Sequence, residues 1–112
     1  MTAPQRLTAP TIEVLHALLD ATDPVWGLQL VKITGRPTGT VYPILSRLED
    51  AGWLAADWEA ESDHPGPRRR LYRLTAEGEV EGAKAIAEYR VRAAARAAGR
   101  PALGGAATAV TA

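Results

Sequence analysis

Between Thr8 and Asp20 the apolar residues Ile12, Leu15, Leu18 and Leu19 fall on one face at helical spacing; Thr8 offers an N-cap hydroxyl and Pro10 sits in the permissive first turn. This pattern predicts a first helix. Asp23 before Pro24 repeats the signature of a cap followed by a first turn. Val25, Leu28 and Val31 then share a side until Gly35 stops the run, which predicts a short second helix. Beyond Gly35, Arg36 and Pro37, the residues Val41, Ile44, Leu45 and Leu48 give the clearest helical period in the chain, ended by Gly52. Pro43 lies inside this third segment, where it deletes one backbone hydrogen bond and crowds the carbonyl four residues back, so a kink is expected. Two starts are open, one near Thr38 and one at Pro43. The earlier is preferred, because the later one leaves a long unpatterned connection between two well-patterned helices.

The second half changes period. Trp53, Leu54 and Trp58 form a short β-like run, RRRLYRL from Arg68 to Leu74 forms another, and AESDHPGP between them is turn chemistry. A hairpin is predicted, with Asp57, Glu59, Glu61 and Asp63 followed by Arg68, Arg69, Arg70 and Arg73, so that charge is offset across the ladder. Thr75 then caps a final helix from Ala76 to about Ala98. Val80, Ala83, Ala87, Val91, Ala94 and Ala98 share one of its stripes, and the opposite side reads as charged. From Gly99 onward small residues without period predict a mobile tail. The expected division is therefore residues 1–75 as one domain, 76–98 as an added helix and 99–112 as tail.

A helix, a short helix, a tight turn, a third helix, a two-stranded hairpin and a long last helix make a mainly α fold with a small β-hairpin, the winged helix-turn-helix. In that architecture the third helix can enter a DNA major groove about 12 Å wide while the hairpin meets the adjacent backbone or minor groove. Composition permits such a fold but does not point to it. The 112 residues suffice for one core, and 46% hydrophobic against 23% charged residues is ordinary for a globular chain. Thirteen basic residues against thirteen acidic ones give zero net charge, so any affinity for nucleic acid has to be local.

With Val41, Ile44, Leu45 and Leu48 inward, a turn of about 100° per residue leaves Gly39, Pro43 and Ser46 outward, flanked by Thr40, Tyr42 and Arg47. Thr and Ser hydroxyls can bond phosphates or base edges, Tyr42 adds an apolar body with a polar tip, and Gly39 permits close backbone approach. The free N–H groups near Thr38 and Gly39 can hold a phosphate without a cation. Thr38 to Ser46 contains no acid.

The segment WGLQLVKITGRPTGTVYPILSRLEDAGWLAADWE, followed by GPRRRLYRLTAEG, resembles the PadR family of bacterial transcriptional regulators, in its short form with a single C-terminal helix. The resemblance covers residues 7 to about 80. Its most specific piece is GTVYPILSRLEDAGW, in which the family's Tyr-Pro pair falls on Tyr42 and Pro43. The resemblance implies a homodimer that sets two third helices in successive major grooves of a roughly palindromic operator on double-stranded DNA, usually to repress transcription. It also implies release by a small-molecule effector, whose class no residue here selects. The last helix normally supplies the dimer contact, which would fall on Val80, Ala83, Ala87, Val91 and Ala94.

Each candidate has a plainer role beside the functional one. Arg68, Arg69 and Arg70 either grip phosphates or pair with the acidic strand, although three consecutive residues cannot share one strand face. Tyr42 either touches DNA or packs, and Arg47 either clamps a phosphate or pairs with Glu49 or Asp50. Trp26, Trp53 and Trp58 read as packing residues. Neither His16 nor His64 has a second metal ligand in reach of its pattern. A calcium loop from Asp57 fails, because its sixth position is Ser62 and its twelfth Arg68. No metal site and no cofactor is expected. The chain has no Cys, two Ser and two His and lacks GxxxxGK[ST], HExxH and GxSxG, so an enzyme is not expected. No apolar run reaches the roughly 18 residues of a membrane span, and cytoplasmic location is the expectation. The other functional class in view is a winged-helix module that binds protein and not DNA. It would be favoured by arginines paired inward and by Asp50, Asp57 and Glu59 lining the third helix.

Overall fold

The computed structural model describes residues 7–60 and 64–99. Its elements are α1 (Ala9–Asp20), β1 (Val25–Trp26), α2 (Gly27–Thr34), α3 (Thr38–Asp50), β2 (Leu54–Trp58), β3 (Arg70–Leu74) and α4 (Ala76–Gly99). The architecture is the expected mainly helical winged fold, with one strand more than the sequence pattern predicted.

α1 starts where the pattern placed it. The Thr8 hydroxyl accepts the Thr11 N–H at 3.4 Å, satisfying one of the donors a helix start leaves unpaired. The helix buries Ile12, Val14, Leu15 and Leu18 at the centre of a single core, against Leu30 of α2, the four periodic residues of α3, and Ala85 and Ile86 of α4.

The predicted start of the second helix is corrected. Val25 and Trp26 are extended and pair antiparallel with β3, Val25 opposite Tyr72 and Trp26 opposite Leu71, and α2 begins only at Gly27. A β-branched and an aromatic residue suit a pleated surface, and the available β3 edge outweighs the local capping signal of Asp23-Pro24. The Gln29 carboxamide oxygen accepts the Trp26 N–H at 3.4 Å, the return half of a capping box. The sheet therefore has three strands in the order β1-β3-β2, not the two of a simple hairpin.

α3 takes the earlier start at Thr38 and runs through Pro43 to Asp50. Its end is a Schellman motif: Gly52 adopts φ 83°, the Trp53 N–H donates to the Leu48 carbonyl at 3.0 Å and the Gly52 N–H to the Glu49 carbonyl at 3.0 Å. This turn feeds the chain into β2. Leu54 opposite Leu74 and Ala56 opposite Tyr72 form the core face of the wing, and Asp57 opposite Leu71 forms the outer one.

Charge is offset across the ladder only in part: Glu59 faces Arg69, exchanging backbone and carboxylate contacts with it at 2.9 Å, but the other described pairs do not match acid to arginine. The register sets Asp57 against Leu71 and Trp58 against Arg70, while Arg70 pairs instead with Glu49 of α3 at 3.1 Å. Glu61 and Asp63 lie outside the described residues. β3 also starts at Arg70, two residues later than the predicted run, so Arg68 and Arg69 precede the strand.

Thr75 caps α4 by accepting the Gly78 N–H at 3.0 Å, and its hydroxyl donates to the Gly52 carbonyl at 2.8 Å, tying the helix to the end of α3. The side of α4 opposite the predicted stripe is not charged. It buries Gly78, Gly82, Ala85 and Ile86 against the rest of the molecule, and the charges occupy the flanks. The close fit depends on Gly78, where a Cβ would run into the Trp53 backbone carbonyl. The helix reaches Gly99, the residue at which the tail was expected to start, and residues 100–112 lie outside the described residues.

Candidate nucleic-acid interface

Burial of Val41, Ile44, Leu45 and Leu48, none more than 2% exposed, fixes the rotation of α3. Thr38, Gly39, Tyr42, Pro43, Ser46 and Arg47 are consequently exposed and Thr40 half-buried, as the helical period required. Arg47 pairs with no carboxylate among the described residues. Tyr42 is 40% exposed, and the missing side chain of Gly27 makes room for its ring, since a Cβ there would collide with the phenol. Tyr42 is thus held at one edge and open at the other.

The three wing arginines have three different environments. Arg68 is exposed and its guanidinium donates to the Glu59 carbonyl at a long 3.4 Å. Arg70 is engaged by Glu49, with its guanidinium carbon 5.5 Å from the Trp58 ring centre. Arg69 lies over the Trp26 ring, 4.1 Å from its centre. Trp26, Gly27, Leu28, Gln29, Lys32, Tyr42 and the three arginines enclose a cleft of about 460 Å³ between α2, α3 and the wing, with Tyr72 at its floor. Among the described residues, four cations and no carboxylate line it.

Polar contacts hold the described part of the wing tip. The Glu59 carboxylate accepts the Arg69 backbone N–H at 2.9 Å and lies 2.9 Å from His64 Nε2, while His64 Nδ1 lies 2.9 Å from the Pro65 carbonyl. Both ring nitrogens face acceptors, an arrangement that suits the doubly protonated imidazolium. The Pro65 carbonyl and then Glu59 raise the His64 pKa above its ordinary 6.5, against burial and the nearby Arg69 charge. The Arg69 N–H, followed by His64, lowers the Glu59 pKa below its ordinary 4.5.

At the other end of α3, Arg36 donates from Nε and Nη2 to both oxygens of Glu13, each at 2.9 Å, which clamps the turn before α3 to α1. Arg36 lowers the Glu13 pKa. A larger hollow of about 720 Å³ between α1 and α2 is lined by Glu13, Asp20 and Asp23 beside Ile33, and its carboxylates make it a poor seat for phosphate.

The expected dimer stripe is bare in the single chain. Val80 and Val91 are 58% and 68% exposed, and Ala83, Ala87 and Ala94 are exposed beside them. Val80, Ala83, Ala87, Val91 and Ala94 lie on the side of α4 turned away from α1. Among the described residues no group of three His, Cys, Asp or Glu could hold a metal ion, and no helix is long and apolar enough to cross a membrane.

Trp26, Glu49 and Gly27 did not stand out in the sequence as parts of this surface. Trp26 became visible as one only with β1, which the Val-Trp pair could have signalled by its strand preference.

A model of the transcriptional regulator PadR-like family matches residues 14–84 of the sequence, from α1 into α4. No curated protein matches it. Among solved structures, a PadR-like transcription factor from Bacteroides fragilis is similar at 26% identity and TM-score 0.58, over 78% of this chain and 87% of that one. The protein smu.1704 from Streptococcus mutans UA159 is 29% identical with TM-score 0.61, over 83% of this chain and 87% of its own. A PadR family transcription regulator from Clostridium difficile R20291 shares the fold at 24% identity and TM-score 0.60, over 78% and 95% of the two chains.

Proposed function

The chain belongs to the PadR-like family of transcriptional regulators, DNA-binding proteins and not enzymes, and from that membership we propose that it is a homodimeric repressor of the bacterial cytoplasm. It sets the exposed face of α3 into the major groove of each half of a roughly palindromic operator. Thr38, Gly39, Thr40, Tyr42, Pro43, Ser46 and Arg47 form the groove-facing surface, and Arg68, Arg69 and Arg70 meet phosphates beside it. A small-molecule effector releases the complex.

The observation that carries this reading is the union of the exposed face of residues 38–47 of α3, a stretch that contains no acid, with a cationic cleft at its edge. A chain of zero net charge can hold a polyanion only where its cations gather and its carboxylates stay away. Glu49 and Glu59 lie near that surface but are occupied by the Arg70 side chain and by the Arg69 backbone and His64. Asp50 and Asp57 are exposed at the end of α3 and on the wing, outside residues 38–47, and Arg68 and Arg69 have no side-chain ion pair among the described residues, which favours DNA over a protein partner.

Residues 76–98 supply the dimer contact through Val80, Ala83, Ala87, Val91 and Ala94, whose apolar surface is uncovered in one chain. Sedimentation of the wild type at the mass of two chains, and of Val91→Glu at the mass of one with weakened operator binding, is the expected result. The full reading is tested by fluorescence anisotropy against the DNA upstream of the protein's own gene, at two salt concentrations and with candidate effectors. Tight binding that weakens with salt and with one effector is expected. Binding that ignores salt would contradict it.

A further inference from the structure

The β1 strand that the sequence concealed puts an aromatic face under one particular arginine. Trp26 pairs with Leu71 and so stands on the outer face of the sheet; Arg69, two residues before Leu71 and just ahead of β3, continues the ladder through its backbone contact with Glu59 and so shares that face. Diagonal neighbours at this offset are within reach of long side chains. The Arg69 guanidinium lies 4.1 Å above the Trp26 ring centre. Its backbone is held from the other side, with the Arg69 N–H donating to the Glu59 carboxylate and the Glu59 N–H to the Arg69 carbonyl, each at 2.9 Å.

We propose that Trp26 is a positioning residue for DNA binding, which holds the Arg69 guanidinium flat on its indole so that the N–H edge meets a backbone phosphate. The proposal rests on the DNA-binding reading above. Stacking occupies the face of a guanidinium and leaves the five in-plane donors available, and those are the atoms a phosphate needs. The Arg69 guanidinium forms no ion pair among the described residues, whereas that of Arg70 is engaged by Glu49. Holding the side chain before binding also removes rotamer freedom that a loose arginine would lose on contact. Of the three arginines, Arg69 is therefore the one already shaped for its ligand.

The test is a double-mutant cycle on binding to an arbitrary mixed-sequence duplex across a salt series, using the full chain and confirming the fold of each variant by circular dichroism. Trp26→Leu should weaken binding by about two- to five-fold, the worth of a cation–π contact at an accessible site. Arg69→Ala should weaken it at least as much and flatten the log-log salt slope by about 0.9. In the Arg69→Ala background Trp26→Leu should cost nothing further, since its effect passes through Arg69. Trp26→Tyr, which keeps an aromatic face, should bind as the wild type, and Arg69→Lys, which keeps the charge without the planar stack, should bind less tightly at an unchanged slope.

Losses that multiply in the double variant would assign Trp26 to packing and overturn the proposal, as would Arg69→Lys binding with wild-type affinity. If the wild type binds while Trp26→Leu binds equally well, only this inference fails. If the wild type binds no duplex, the DNA reading fails and takes the inference with it.

Discussion

Along α3, seven exposed or half-exposed candidate residues carry a single cation, Arg47, whereas the wing beside them brings Arg68, Arg69 and Arg70 within a few residues. The two regions are also held differently. α3 is oriented by four apolar side chains sunk in the core, and the described part of the wing tip is held by a carboxylate, an imidazole and a stacked tryptophan. Dry packing has no charges to screen or titrate, while polar contacts at a surface respond to salt and pH. The contrast suggests a division of labour in which α3 discriminates between sequences and the wing supplies a grip common to all of them.

The largest expected effect comes from removing the support of the first region. Leu48 is fully buried, and Leu48→Ala should cost about 2 to 5 kcal/mol of stability, read as a lower denaturant midpoint. Loss of DNA binding should then follow the unfolded fraction, for all sequences alike.

A finer perturbation separates the regions. Gly27→Ala pushes a methyl group into the Tyr42 ring, and because Tyr42 is partly exposed the ring can swing away while the chain still folds. Discrimination between operator and non-operator DNA should drop by about 1 kcal/mol, roughly fivefold, with the salt slope unchanged. Competition binding with the two duplexes measures it.

Glu49→Gln acts from the other side. It releases Arg70 from a half-exposed ion pair worth about 0.2 to 1 kcal/mol and removes a negative charge from the border of α3 and the wing. Binding to every duplex should tighten slightly, with a steeper salt slope, and a weakened complex would show that the pair orients Arg70 for its contact.

The smallest effect is that of pH, and it should touch the wing alone. The raised pKa of His64 means that its contribution is complete below the ordinary 6.5 and is lost as pH rises through the raised value. The lowered pKa of Glu59 means that its contribution is complete above the ordinary 4.5 and is lost as pH falls through the lowered value. The wing contacts are therefore strongest between those limits. Imidazole NMR should find His64 titrating above 6.5, and affinity should decline in step with it in the wild type but not in His64→Gln.

What the sequence made legible follows the same division. The helical period of Val41, Ile44, Leu45 and Leu48 located α3 and named its outward residues, because burial repeats at a fixed angle and needs no partner to be known. Thr8, Gly35, Gly52 and Thr75 marked helix ends for an equally local reason. The rest depended on distant partners. Val25 and Trp26 carry a capping signature just before them, and only the β3 edge makes them a strand. The inner side of α4 escaped notice because Gly78, Gly82 and Ala85 are too small to draw a hydrophobic stripe, yet close approach to α1 and Trp53 requires small residues there. Acids and arginines adjacent in sequence suggested pairing across the wing, but strand register gave Arg70 to Glu49 of α3.

The division of labour between α3 and the wing is tested most directly by salt titrations of the wild type, Tyr42→Ala and Arg69→Ala on an operator duplex and a scrambled one. Arg69→Ala should flatten the log-log slope by about 0.9 on both duplexes and preserve their affinity ratio, whereas Tyr42→Ala should keep the slope and shrink the ratio. Two variants that change slope and ratio in the same way would contradict the account.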